Sequence, residues 1–438
     1  MTINEKYALA DLVIEHALKS GAQQVSVSID ESRSNDIEIR DKKIDKLTES
    51  TRNGLSIDLY VDKKYSSAST NRLKKEELFK FVDEAIAATR FLAEDEFRKL
   101  PEPELYYKGG GKDPGIIDIS IDSVDARTKI DMANLVQDEA YGKDERIISV
   151  SSYYSDNISN RVLVTSNGFR GDNSDSSVSL TAAVSMKSET GRPSDYWYEN
   201  SIFMNKLLKT GIGTKALERA IRKLDPKKIK SGKYPMVLEN RTAMNLFGPL
   251  YGALQGYSLY QKESFLAGKL DKPIASKLLT ITDDPSLPLS PGTRLFDYEG
   301  LAAVKRPVIE GGVLRNFYID TYYGRKLGMK ATSGSSSNVL FALGTRDMAA
   351  MVSSMKKGIL ITGFNGGNCN GSTGDFSYGI EGFLVEGGKI IHPVNEMNIT
   401  GNMTEVFFNL AEMGNDFREG SSFRIPSMLF ENIDFSGI

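Results

Sequence analysis

The N-terminal quarter of the chain switches between two hydrophobic periods. Apolar residues recur every three to four positions over residues 5–20, which predicts an amphipathic helix. Apolar and polar residues then alternate over 24–29, 37–39 and 55–61, which predicts three strands. A second helical pattern covers 71–93. This order predicts an α+β arrangement in which helices pack on an antiparallel sheet.

The same order of elements recurs after a break. Pro101, Pro103 and the glycine triplet 109–111 interrupt the periodicity and indicate a connection. Asn167-Gly168 is a strong hairpin-turn signal, because both residues tolerate positive φ. We expect one N-terminal α+β domain over 1–228, possibly built as two similar units over about 1–100 and 112–228. The elements predicted in the second unit are a helix at 128–140, strands at 147–153, 161–166 and 177–187, and a helix at 214–224.

The second half of the chain differs from the first in composition. It is rich in glycine and β-forming residues, and a helix of small residues is predicted only at about 242–257. We therefore expect a mostly-β C-terminal domain over 229–438. Its predicted strands are 236–238, 278–282, 302–309, 313–319, 349–361 and 383–389.

Composition narrows the class of function. The 438 residues carry 55 basic and 58 acidic side chains, and this balance gives no reason to expect a nucleic-acid partner. The sequence shows no basic leader with an apolar core and no apolar run of about 18 residues, so no membrane partner is expected. A single cysteine, Cys369, cannot form an internal disulfide. These features predict a cytoplasmic protein.

Histidine is too scarce for a conventional zinc hydrolase. The chain has two histidines, His16 and His392, whereas hydrolytic zinc sites commonly use two or three imidazoles. The patterns HExxH, GxSxG, the P-loop and CxxC are also absent from the sequence. Local signatures of zinc proteolysis, acyl transfer, phosphate binding and thiol redox chemistry are therefore missing.

The densest polar motif is the glycine-rich stretch 366–377. Glycines among small polar residues permit positive φ and close approach of another backbone, as a peptide-binding groove requires. The alternative interpretation is a surface hairpin loop, because Gly and Asn are common turn residues. Within this stretch the candidate substrate-binding residues are Gly366, Gly367, Asn370, Thr373 and Asp375.

Several segments resemble the TldD/PmbA family across nearly the whole chain. In the N-terminal half they are 37–44, 54–57 and 67–71. In the C-terminal half they are 265–270, 373–383, 399–403 and 413–416. The groups Gly401-Asn402-Met403 and Gly414-Asn415-Asp416 favour the PmbA (TldE) side of the family over the TldD side.

The resemblance implies a subunit without the family's metal site. TldD proteins carry an HExxxH zinc motif whose positions, counted back from Gly268, fall here on Phe247, Gly248 and Gly252. None of these can ligate a metal, so no catalytic residue and no cofactor is expected in this chain. The family's additional cysteine ligand would fall near 420–425, where the chain has no cysteine.

The family resemblance further implies a partner and a substrate. It implies a complex with a TldD-like zinc subunit, and this metallopeptidase pair would act on unfolded peptides inside an enclosed channel. One alternative is a non-enzymatic homodimeric scaffold that binds peptides or regulates a partner, in keeping with the family's label as a modulator of DNA gyrase. Another is a hydrolase in which Asp375 and Glu381 form an acid/base pair.

Overall fold

The first half of the chain folds around one antiparallel sheet. The structure is a computed structural model that describes residues 1–189 and 191–437. Within these residues the sheet has six strands in the order β3-β2-β1-β4-β5-β6. Its elements are α1 (Ile3–Lys19), β1 (Gln24–Arg40), β2 (Lys43–Val61), β3 (Lys64–Thr70), α2 (Lys75–Thr89), α3 (Ala126–Asp138), β4 (Ile147–Thr165), β5 (Arg170–Met186), β6 (Ser194–Ser201) and α4 (Ile212–Arg222).

The predicted α+β class is confirmed, but the sequence wrongly divided each of two long strands into two shorter ones. The separate strands predicted at 24–29 and 37–39 are one strand, β1, and those at 147–153 and 161–166 are one strand, β4. Polar residues in the middle of each strand break the hydrophobic alternation. The backbone nevertheless stays extended, because the middle of β1 pairs with β2 on one side and β4 on the other. Pairing on both edges therefore overrides the local polarity.

Two buried ion pairs anchor helices to the same face of the sheet. Lys6 of α1 lies 3.2 Å from the Glu31 carboxylate of β1, and Lys129 of α3 lies 2.6 Å from that of Asp156 on β4. All four side chains are buried. Each pair fixes a helix over the sheet, because a buried charge is tolerated only beside its partner.

The acidic members of these pairs are placed symmetrically across the β1–β4 ladder. Across the antiparallel β1–β4 ladder, Glu31 stands opposite Asn160 and Asn35 stands opposite Asp156. Asp156 lies 125 positions after Glu31, and Asn160 lies 125 positions after Asn35. The same spacing of 125 residues therefore relates the acidic residue of β1 to that of β4 and the asparagine of β1 to that of β4, as a local two-fold axis between the strands would. The similarity of the two helix-strands-helix units as wholes stays a prediction.

The second half is rich in strands, as predicted. One sheet has the order β14-β13-β12-β7-β17-β15, and because β14 also pairs with β17, five of these strands close into a cycle. A second sheet has the order β10-β9-β8-β11-β16. The elements are β7 (Gly232–Leu238), α5 (Ala243–Ala253), α6 (Gly256–Tyr260), β8 (Ile281–Asp283), β9 (Arg306–Glu310), β10 (Val313–Leu314), α7 (Thr321–Leu327), β11 (Val339–Phe341), α8 (Met348–Ser354), β12 (Lys357–Cys369), β13 (Asp375–Glu386), β14 (Lys389–Asn402), α9 (Met403–Val406), β15 (Leu410–Met413), β16 (Phe423–Arg424) and β17 (Met428–Ser436).

The strand predicted at 349–361 was wrong in its first half. Residues there form α8, which begins after Asp347, whose carboxylate accepts a hydrogen bond from the Ala350 N–H. This N-cap satisfies an otherwise unpaired donor and starts a helix where the apolar run suggested a strand. The strand itself, β12, starts only at Lys357 and continues to Cys369.

None of the helices that the structure describes is long and apolar enough to cross a membrane.

Candidate functional site

The free edge of β12 runs beside helix α5. β7 pairs in parallel with β12 only over residues 359–361, and the chain then leaves the sheet to form α5. A cavity of about 370 Å³ between α5 and β12 is lined by residues of both at the Thr362 end. Another, of about 420 Å³, is lined by residues of both at the Cys369 end. We call the space between the exposed face of α5 and residues 362–369 the edge groove.

The backbone of β12 is open toward this groove. Beyond residue 361, the described part of the chain pairs β12 with β13 alone. The Asn370 N–H donates to the Asp375 carbonyl at 2.8 Å, so residues 370 and 375 form a hydrogen-bonded pair between the two strands. Because bonded and unbonded pairs alternate in an antiparallel ladder, Gly367 and Cys369 direct their N–H and C=O groups outward. The groove therefore has unpaired donors and acceptors along one side.

The helix side of the groove includes two glycines. Gly248 and Gly252 lie on α5, and a Cβ added to either would meet no atom within 4 Å. Phe247, in contrast, turns into the core, where its ring centroid lies 4.9 Å from that of Phe341 and 5.0 Å from that of Phe407. Gly252 lines the cavity at the Cys369 end, and Gly248 lies one helical turn before it on the same face of α5, whereas Phe247 lies in the core.

These residues do not fit a zinc ion. A phenyl ring and two glycines supply no nitrogen, oxygen or sulfur side-chain ligand. Over residues 1–189 and 191–437 no group of three His, Cys, Asp or Glu side chains is arranged to hold a metal. We therefore derive no chemical step through a metal in this chain.

The polar residues predicted to bind substrate hold the turn of the β12–β13 hairpin. The Asn370 Oδ1 accepts from the N–H groups of Ser372 at 2.9 Å and Thr373 at 3.2 Å. Asp375 accepts from the Thr373 hydroxyl at 2.8 Å and from the Asn402 amide at 2.9 Å. The Asn402 and Thr373 hydrogen bonds lower the pKa of Asp375, so this carboxyl stays ionised. The three predicted residues shape the hairpin tip at the end of the groove.

The two predicted glycines lie within β12 itself. Gly366 has φ +141° and Gly367 has φ +109°, a backbone region that favours glycine. A Cβ on Gly367 would lie 2.0 Å from the Ser377 carbonyl oxygen on β13. The hairpin therefore requires glycine at 367 for its own packing. The segment is a hairpin, as one interpretation predicted, and it also has the free edge that the peptide-binding interpretation needs.

Asp375 and Glu381 do not form an acid/base pair. They lie six residues apart on one strand, β13, which separates them by about 20 Å. Glu381 is bound by Lys223 at 2.6 Å, and Asp375 is bound at the hairpin turn. A proton cannot pass directly between them.

A buried charge cluster at the Thr362 end was missed by sequence reasoning. Asp195 of β6 lies 3.2 Å from Arg219, 3.1 Å from Lys223 and 3.1 Å from Arg241. Burial would raise the pKa of Asp195, but Lys223, Arg219 and Arg241 together hold that pKa below its usual value. No sequence signal marks this cluster, because its members come from separate segments that meet only in the fold.

Comparison with known proteins decides the family. Three models described as PmbA/TldA metallopeptidase domain 1, central domain and C-terminal domain match residues 25–89, 119–224 and 231–437. The chain belongs to the PmbA/TldD family. A solved structure from Bacteroides thetaiotaomicron, labelled a proposed modulator of DNA gyrase, is 47% identical, covers 100% of both chains and has a TM-score of 0.98.

More distant members of the PmbA/TldD family carry peptidase names. The Metalloprotease PmbA homolog of Haemophilus influenzae is 27% identical, and the match covers 97% of this chain and 94% of that protein. The solved structure of TldE from Thermococcus kodakarensis shares the fold at 20% identity and a TM-score of 0.88, covering 98% of this chain and 100% of that one. The family likeness therefore extends over essentially the whole chain.

Proposed function

We propose that this PmbA/TldD family chain is a PmbA-like subunit that binds no metal itself, holds unfolded peptides and acts with a zinc-bearing TldD-like subunit. The observation that carries the proposal is the free edge of β12 beside a helix face with two glycines and no metal ligand. Peptidase names among the relatives support the reaction class. The single cysteine favours a reducing compartment such as the cytoplasm.

The groove suits an extended chain of almost any sequence. A peptide that adds a strand to β12 would bond to the outward N–H and C=O groups of Gly367 and Cys369. Such main-chain bonds give affinity without reading side chains. The open face at Gly248 and Gly252 leaves room for the peptide's own side chains. This chain would position the peptide, and bond cleavage would belong to the zinc-bearing partner.

The alternative is a homodimeric peptide-binding or regulatory scaffold without peptidase association. The gyrase-modulator label of the 47% identical structure favours it. An exposed strand edge can also pair with a second copy of the same chain. Co-purification from the source cells separates the two functions, because only the first requires a TldD-like subunit to accompany this chain.

Edge pairing predicts how peptide N-methylation should act. A short, uncharged, unfolded peptide carrying fluorescein can be N-methylated at alternate positions or, with the same number of methyl groups, at consecutive positions. Alternate methylation leaves one edge of the peptide intact, so anisotropy should show nearly unchanged affinity. Consecutive methylation blocks both edges and should weaken binding at least about tenfold. Equal affinity of the two methylated peptides would contradict strand addition to β12.

A further inference from the structure

A polar cavity closes the edge groove at Thr362. It has a volume of about 370 Å³ and lies where β6 and α4 meet α5 and β12. Its lining includes Lys223, Arg241, Asn245, Thr362 and Glu381. Thr362, Gly363 and Phe364 of β12 line the cavity, so the end of a peptide paired with this strand, where the proposed function places it, would reach the cavity.

The buried part of this site has an excess of positive charge. Arg219, Lys223 and Arg241 surround two buried carboxylates, Asp195 and Glu239. Both oxygens of Glu239 are already taken by Arg219, at 2.7 and 2.9 Å. Three cations against two buried anions leave one charge to be balanced at the cavity.

Glu381 supplies the balancing charge from an exposed position. Its side chain is 41% exposed, and its carboxylate binds Lys223 at 2.6 Å. Glu381 stands opposite Gly363 across the ladder, and a Cβ on Gly363 would lie 2.9 Å from the Glu381 carboxylate. A half-exposed carboxylate can exchange Lys223 for water at low cost, so another carboxylate can take its place.

A buried hydroxyl in the lining lacks a hydrogen-bond partner. β12 bulges between residues 361 and 363, which takes Thr362 out of the ladder. The Thr362 carbonyl accepts from Arg241 at 3.3 Å, but its hydroxyl has no hydrogen-bond partner, although the residue is only 5% exposed. The Nε of Arg241 makes no hydrogen bond, but it lies 3.7 Å from the buried Glu239 carboxylate, which faces it. The Thr362 hydroxyl is therefore the donor in this lining that a ligand can satisfy, and a buried donor without an acceptor is costly.

The direction of the strand brings a defined end of the peptide here. β12 runs from Thr362 toward Cys369. A peptide added antiparallel to it runs the opposite way, and its C-terminus points toward Thr362. The antiparallel arrangement is the more stable per residue. The end that carries a carboxylate thus meets the end of the groove that has the surplus positive charge.

We propose that this cavity binds the C-terminal carboxylate of the peptide, which displaces Glu381 from Lys223 and accepts a hydrogen bond from the Thr362 hydroxyl. The inference rests on the proposed function and adds a substrate class to it, namely peptides with a free C-terminus whose last residues lie in the groove. An ammonium group would be repelled by Lys223 and Arg241, so the opposite orientation is disfavoured.

The test compares two forms of one peptide. A short, uncharged, unfolded peptide labelled at its N-terminus with fluorescein is prepared with a C-terminal carboxylate or a C-terminal amide. Binding to the full chain is followed by anisotropy. The carboxylate form should bind at least about tenfold more tightly, because hydrogen bonds to charged groups are worth more than neutral ones.

Two variants make the test specific. Lys223→Met should reduce the preference for the carboxylate to near unity, and circular dichroism should show that the variant keeps the fold of the original chain. Glu381→Gln should bind the carboxylate peptide several-fold more tightly, because its competitor is gone. Equal binding of both peptides by the unaltered chain would overturn the carboxylate site and leave the peptide groove standing. Binding of neither peptide would overturn the groove as well.

Discussion

Replacing Phe247 by alanine should lower the free energy of unfolding by about 3–5 kcal/mol, the usual range for a buried phenylalanine. Phe247 is 3% exposed and contacts the rings of Phe341 and Phe407. Truncation would leave a cavity between α5 and the strands beneath it. Urea denaturation followed by fluorescence or circular dichroism measures the change.

Gly252→Ala is the matched control on the same helix. The added Cβ meets no atom within 4 Å, and alanine favours helix more than glycine by about 1 kcal/mol. This variant should therefore be as stable as the original chain or slightly more stable. If Phe247→Ala cost no more than Gly252→Ala, the assignment of Phe247 to the core and Gly252 to the groove would be wrong.

Cys369→Pro should weaken peptide binding at least about tenfold and leave the fold intact. Proline lacks an N–H and is tolerated on an edge strand where that N–H faces outward. The Cys369 N–H is assigned to the outward side of β12 by the hydrogen-bonded pair of residues 370 and 375. The variant thus removes a donor from the groove and none from the β12–β13 ladder.

Cys369→Ala provides the control for loss of the thiol. It keeps the backbone N–H, so its peptide affinity should match that of the original chain. Thermal melting of both variants checks that the hairpin is preserved. Unchanged peptide affinity in a folded Cys369→Pro variant would show that the peptide does not pair with this edge.

The sequence predicted helices, strands and turns better than it predicted the structural role of individual residues. The alternation at 55–61 and the turn at Asn167-Gly168 led directly to β2 and to the β4–β5 hairpin. Gly367 was singled out for ligand approach, whereas the structure shows that the hairpin itself excludes a Cβ there. Local pattern identifies a special backbone position and leaves open which neighbour imposes it.

The charged end of the groove could not be predicted. Asp195, Arg219 and Arg241 lie in β6, in α4 and after β7, and nothing in their local sequence distinguishes them from surface charges. They form a cluster only where the first sheet packs against the sheet that contains β7 and β12. That the chain binds no metal stays a prediction of the sequence, because a chain with two histidines has few ways to build a hydrolytic zinc site.

The most direct test of the central claim is the zinc content and peptidase activity of the pure chain, alone and mixed with a TldD-like subunit from the same organism. The chain alone should contain no stoichiometric zinc and cleave no peptide, and both zinc and cleavage should appear in the mixture. Stoichiometric zinc with chelator-sensitive cleavage by the chain alone would contradict the assignment of Phe247, Gly248 and Gly252 as positions without a metal.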